Sequence, residues 1–162
     1  MPPPPPPPSE LVATAFHEAG HAVVALALGR PVHRVSVRPN ADRLGQCEFK
    51  KGRHQPTDDW LEDEILISLA GMAAEARATG VYERGGAARD LRFARQLMLQ
   101  RASERGLDRY ERRMLGKVEN LLADAGHWAA VEAIAAALIE SETISGRQAV
   151  HLFEQAVAAH AE

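Results

Sequence analysis

Phe16-His17-Glu18-Ala19-Gly20-His21-Ala22-Val23-Val24 is the stretch from which the rest of the chain is best read. Leu11 and Val12 precede it, Leu26 follows, and most positions between are apolar or small, the pattern of one long helix. Ser9 is a residue type that caps a helix N-terminus, Gly29 is one that ends a helix, and Pro31 forbids continuation. With nearly every face apolar, this helix is expected at the centre of the fold. His17 and His21 lie four residues apart, hence one turn above each other on a single face. Two imidazoles so placed can grip one Zn²⁺ at about 2.0–2.1 Å each. Glu18 stands about 100° around the helix, able to lean toward a water on the metal without itself being a ligand. In zinc hydrolases of this pattern the ion lowers the pKa of that water to about 7 and the glutamate takes its proton. Three polar side chains buried here without partners would cost several kcal/mol, so they need something to bind.

Outward from this helix, residues 32–37 alternate like a strand around Val35 and Val37, Pro39-Asn40 marks a turn, and residues 44–49 make a second strand. Residues 50–56 are basic and loop-like. Asp59 and Glu62 form a capping box for a second long helix, whose buried stripe is Ile65, Leu66, Leu69, Ala70 and Ala73. Gly80 and Gly85-Gly86 mark a loop before a third helix, expected from near Ala88 to near Gly106. Two further helices are expected over residues 108–125 and 127–140, with Gly126 as the break, and a last one from Ser145. Residues 2–8 are all proline, an extended polyproline segment of roughly 20 Å that stands outside the fold as a tail.

Composition narrows the function classes. The 162 residues are 46% hydrophobic and 25% charged, enough for one domain with a real core, but only 5% aromatic, so Ala, Leu, Val and Ile must build it. A net charge of −3 gives no long-range pull toward nucleic acid or an anionic membrane. A single cysteine, Cys47, excludes an internal disulfide framework and fits a reducing compartment. No apolar run approaches the roughly 20 residues of a membrane span, and the N-terminus lacks the layout of a signal peptide. The expectation is a cytoplasmic protein without a membrane span and without a nucleic-acid partner.

Zinc catalysis needs a third protein ligand and an open fourth position. The metzincin continuation is excluded, because Val24 and Ala27 occupy the places of its glycine and third histidine, and a zinc deaminase is excluded by the lack of paired cysteines. Two acidic candidates remain: Glu75 in the second helix and Asp90 at the start of the third. Spacing alone favours Glu75, since many zinc peptidases draw a glutamate from a later helix. Asp90 has a plain structural reading as well, an acid that complements a helix N-terminus.

The chain resembles the peptidase domain of FtsH-type ATP-dependent zinc proteases. The resemblance runs through Thr14-Ala15-Phe16-His17-Glu18-Ala19-Gly20-His21-Ala22, Pro31-Val32-His33-Arg34-Val35-Ser36-Val37 and Leu44-Gly45. It continues through Leu69-Ala70-Gly71-Met72-Ala73-Ala74-Glu75, Gly86-Ala87-Ala88-Arg89-Asp90-Leu91 and Leu138-Ile139-Glu140-Ser141-Glu142-Thr143-Ile144-Ser145-Gly146, the last like the family's closing helix-turn-helix. It covers about residues 10–155, with the motifs in the family's order. It implies that the third zinc ligand is Asp90, and that Glu75 is a buried acid near the site that orients a ligating histidine. The implied fold is α+β and predominantly helical: a zincin-like active-site helix with a small β-sheet, followed by a C-terminal helical bundle. After the tail at residues 1–8, residues 9–162 then form one zinc domain, with residues 9–106 as its catalytic part and 107–162 as its C-terminal helices.

The chain departs from the family in having no Gly-x-x-x-x-Gly-Lys-Ser/Thr phosphate loop in these residues, and in Met72 and Ala76 where an arginine and a glutamate are usual. The expectation is therefore a peptidase with one zinc ion that acts on flexible or unfolded polypeptides, without an ATPase module or membrane anchor of its own. A separate ATPase or adaptor is a candidate partner, and self-association is compatible with a family that assembles as hexamers. The alternative is a zinc-binding pseudo-peptidase that serves as an adaptor. Leu44, Gly45 and Gln46 open the candidate edge strand for an extended substrate, Gly45 permitting close backbone approach. Cys47 reads as packing rather than as a nucleophile. His33, His54, His127, His151 and His160 show no ligand spacing with one another, although His54 lies where a substrate contact is conceivable. Trp60 and Trp128 read as helix-packing anchors, and the charged run at residues 109–117 as a solvated helix face.

Overall fold

Small residues decide how the two principal helices meet. In the computed structural model, which describes residues 1–2, 9–39, 45–49, 59–82 and 87–161, α1 (Ser9–Ala27) is buried almost continuously from Thr14 to Ala25. It lies against α2 (Trp60–Thr79), buried from Ile65 to Ala74. A β-carbon on Gly20 would stand 2.5 Å from the Ala74 β-carbon and 2.6 Å from the Ala70 carbonyl oxygen, so the helices touch at a distance only glycine allows. Asp59 caps α2 as its sequence suggests, accepting from the Glu62 N–H at 3.0 Å. Gly80, at φ 84°, closes the helix by donating to the Ala76 carbonyl. Gly29 turns the chain out of α1 in the same left-handed conformation, φ 81°.

The turn delivers the chain to β1 (Val32–Ser36), the middle strand of a three-stranded antiparallel sheet in the order β2-β1-β3. β2 (Gln46–Phe49) pairs with β1 so that Val35 faces Cys47 and Ser36 faces Gln46. Among the described residues β2 has a neighbour on one side only, so it is an edge strand. The third strand, β3 (Thr143–Ser145), departs from the helix-turn-helix expected there. Three residues cannot display an alternating pattern, but the pairing of Val35 with Ile144, both buried, makes the strand an apolar plug. A hydroxyl pair, Ser36 Oγ to Thr143 Oγ1 at 2.8 Å, closes it.

The remaining helices pack behind α1 and α2. α3 (Ala88–Met98) stops well short of Gly106, the end expected from the sequence. The Arg101 and Ala102 N–H groups both donate to the Met98 carbonyl, which turns the chain, and a 3-10 turn at Glu104–Gly106 precedes α4 (Leu107–Ala123). The break before α5 (Ala125–Ser141) is Asp124 rather than Gly126: Asp124 is extended and its carboxylate accepts from the His127 N–H. Gly126 lies inside α5, where a β-carbon would come 3.1 Å from the Val157 α-carbon of α6 (Gly146–Ala159). Ser145 caps α6, as expected. Trp128 stacks on Phe16 with ring centres 5.9 Å apart and anchors α5 to α1, but Trp60 is 54% exposed and anchors nothing. The run at residues 109–117 is not wholly solvated either, since Glu111 is buried and paired with Arg95 of α3 at 2.9 Å. The architecture is α+β, predominantly helical with one small sheet. No single helix among the described residues is long and apolar enough to cross a membrane; α4 and α5 qualify only together with the preceding 3-10 turn, as a pair bent by 83°.

Candidate metal centre

α1 carries His17, Glu18 and His21 into the interior, each less than 10% exposed. α3 supplies Asp90 from its first turn. His17 Nε2 lies 2.9 Å and His21 Nε2 3.0 Å from the same oxygen, Asp90 Oδ2, and the two ring nitrogens are 3.2 Å apart. Among the described residues this is the cluster of histidine, cysteine and acidic side chains able to hold a metal ion. Glu75, the acid that spacing alone favours, is half-buried on α2 and is not a member of this cluster. Three ligands on a tetrahedron with bonds of about 2.0–2.1 Å stand about 3.3–3.4 Å apart. The observed triangle is within a few tenths of an ångström of that, and two imidazoles with one carboxylate are a donor set suited to zinc.

α2 fixes this triangle by what it lacks and by its backbone. The His21 Nδ1–H donates to the Ile67 carbonyl at 2.7 Å, which orients the ring so that Nε2 is turned toward Asp90. One turn further along α2, Gly71 lies beneath both rings. A β-carbon there would stand 2.5 Å from His17 Nε2 and 2.7 Å from His17 Cδ2, and would collide with His21 Nε2 as well. Sequence alone singles out neither contribution. A carbonyl leaves no mark on a sequence, but a glycine in a helix interior costs about 1 kcal/mol relative to alanine and is a legible sign of close approach.

The electrostatics favour positive charge between these groups. Burial by itself lowers the pKa of His21, but the Asp90 carboxylate, the charge of Glu18 and the Ile67 carbonyl outweigh it and hold the imidazole up at about 9. Asp90 shows the converse: burial opposes ionisation, and His21 and His17 nevertheless hold its carboxyl far below the usual carboxylate range.

Gly45 and Gln46 stand at the head of β2, while Leu44 lies outside the described residues, as does His54. A β-carbon on Gly45 would meet the Ser36 carbonyl oxygen at 2.7 Å, Thr14 Cγ2 at 2.9 Å and Glu18 Cγ at 3.2 Å. The glycine therefore lets the start of β2 lie directly on the Glu18 side chain. Next along the strand, burial and then the charge of Glu18 push the Cys47 thiol well above its ordinary pKa, which suits packing rather than nucleophilic attack. Arg30 pins the other end of β2, paired with Glu64 of α2 and stacked 4.6 Å over the Phe49 ring.

Comparison with known proteins points the same way. Peptidase family M41 matches residues 8–111. An ATP-dependent zinc metalloprotease FtsH of Acidothermus cellulolyticus is 39% identical over 61% of this chain and 15% of its own length. FtsH of Acidimicrobium ferrooxidans is 28% identical over 88% of this chain and 28% of its own, and FtsH 1 of Symbiobacterium thermophilum 32% over 90% and 29%. The chain spans less than a third of the length of each of these relatives.

Proposed function

The chain belongs to peptidase family M41, and on that footing we propose that it is a zinc-dependent metalloendopeptidase that hydrolyses peptide bonds in flexible or unfolded polypeptides. The observation that carries this reading is the convergence of His17 Nε2, His21 Nε2 and Asp90 Oδ2 within 3.2 Å of one another, with buried Glu18 on the same helix. His17, His21 and Asp90 would hold one zinc ion. Bound there, zinc supplies Lewis acidity, polarising a carbonyl oxygen and making water acidic enough to lose a proton near neutral pH.

The chain's own residues do the rest. Glu18 accepts the proton of the attacking water and later delivers it to the leaving amine. The Ile67 carbonyl keeps His21 in the tautomer that presents Nε2. An edge strand among the described residues, β2 receives an extended substrate by backbone pairing, with Gly45 and Gln46 at its head and Leu44 preceding them in sequence. Glu75 of α2 supports the site from outside the cluster. These 162 residues hold no nucleotide phosphate loop, so the hydrolysis they carry is itself ATP-independent, and folded substrates need an ATPase or an adaptor to present them.

The test is cleavage of casein by the zinc-loaded chain beside a Glu18→Gln variant, with zinc content measured on both. Activity in the wild type alone, at equal zinc, supports the peptidase and the role of Glu18. Zinc without cleavage in either supports the alternative, a pseudo-peptidase acting as an adaptor. Failure of both to bind zinc refutes the metal centre.

A further inference from the structure

Helix α3 leaves the metal centre at Asp90 and turns a whole face to solvent. Leu91, Ala94 and Met98 point inward. Arg89, Arg92, Phe93 and Gln96, spaced i, i+3, i+4 and i+7, form the opposite stripe and are all exposed. Phe93 is 47% exposed, a large apolar ring left beside two guanidinium groups. The ion pairs nearby belong to other arginines, Arg95 with Glu111 and Arg101 with Asp59, which leaves Arg89 and Arg92 without a carboxylate partner among the described residues. Residues 87–117 hold nine basic and four acidic side chains; Arg95, Arg101 and Lys117 are taken up in ion pairs, and Arg89 and Arg92 are the two on this stripe.

We infer that the outer face of α3 is a docking surface for acidic stretches of the polypeptide substrate, with Phe93 receiving an apolar residue among the acidic ones. The inference rests on the peptidase reading and names its substrate class. Arg89 adjoins Asp90 in sequence, and Arg92 lies two residues beyond it, about 3 Å along the helix axis. The stripe therefore begins on the same turn of α3 that supplies Asp90, and the field of exposed arginines there extends over about one Debye length, roughly 8 Å, at physiological salt. Arginine also offers paired N–H donors that match a carboxylate and a flat surface that lies against an aromatic ring. Exposed charge pairs are individually weak, so the selectivity is modest, about three- to tenfold at low ionic strength. It acts on capture more than on the chemical step.

The experiment uses quenched fluorescent peptides that share one neutral core and differ only in flanks of Asp/Glu or of Lys. The zinc-loaded chain and its Arg89→Glu/Arg92→Glu variant are compared by the ratio of kcat/KM for the two peptides, and binding to the Glu18→Gln protein is followed by fluorescence anisotropy. The expected ratio favours the acidic peptide by about three- to tenfold, falls toward one in high salt, and inverts in the double variant. A ratio near one in the wild type, or a ratio untouched by the double charge reversal, overturns the inference. Selective binding of the acidic peptide without cleavage of either would refute the peptidase reading and leave the docking surface standing. Cleavage without charge selectivity does the reverse. A single-stranded oligonucleotide that displaces the acidic peptide at lower concentration than unlabelled peptide also overturns the inference, by giving the face to nucleic acid.

Discussion

Replacing Gly71 by alanine tests whether α2 shapes the metal centre by leaving space. The new methyl would stand 2.5 Å from His17 Nε2 and 2.7 Å from His17 Cδ2, against an ordinary contact of about 3.5 Å. Either the imidazoles retreat by about 1 Å or α2 moves away from α1. Metal–ligand distances tolerate only about 0.2 Å, so the first response should weaken zinc binding by 10- to 100-fold or more. The second opens the Gly20–Ala74 contact and costs about 1–3 kcal/mol, partly offset by about 1 kcal/mol of alanine helix propensity. The expected result is a large loss of zinc affinity with a small loss of stability, read by chelator competition and by thermal unfolding of the metal-free protein. Gly116→Ala is the control: no atom outside its own neighbourhood lies within 4 Å, so it should gain about 0.5–1 kcal/mol and bind zinc as before. Wild-type zinc affinity in Gly71→Ala would refute the reasoning, because it would mean that the rings are not held by that surface.

Asp90→Asn should lower zinc affinity sharply, while Glu75→Gln keeps one zinc per chain; equal retention in both would return the third-ligand role to open question between α2 and α3. Gly45→Val drives its side chain into the Ser36 carbonyl and Thr14, and should displace the start of β2 together with Glu18. Its kcat should therefore fall at unchanged zinc content, and an effect confined to KM would favour a pure substrate-edge role instead. Glu111→Gln removes the charge that Arg95 of α3 pairs with, from a site only 6% exposed. A loss of about 1–3 kcal/mol in urea denaturation is expected, with the zinc site intact; no loss would show that the pair contributes nothing to holding α3 against α4.

Much of this was legible because the informative residues lie on long periodic elements. His17 and His21 meet through one helical repeat, and Asp59, Gly80 and Ser145 mark helix ends by their own chemistry. Asp90 was another matter, since its approach to the imidazoles is a tertiary fact, and only resemblance singled it out over Glu75. The misplaced boundaries have local causes. Asp124 outcompetes Gly126 as a break because a capping carboxylate can end one helix and start the next, whereas a glycine can also serve close packing. β3 has too few residues for any period, and its pairing depends on a strand 107 residues earlier.

That last pairing bears on when the molecule can become whole. β1 follows α1 directly, yet its second partner arrives only with residues 143–145, and α5, which carries the Trp128 that covers Phe16, comes just before it. During synthesis, at roughly 5–20 residues per second, the histidine-bearing helix therefore spends several seconds with one flank of its sheet and one of its helical walls still missing. Contacts so distant in sequence close slowly and late, since loop entropy must be overcome before they form. A nascent chain accordingly carries the chemistry of the centre well before it has the frame that holds it, and maturation of the site is tied to emergence of residues 125–145.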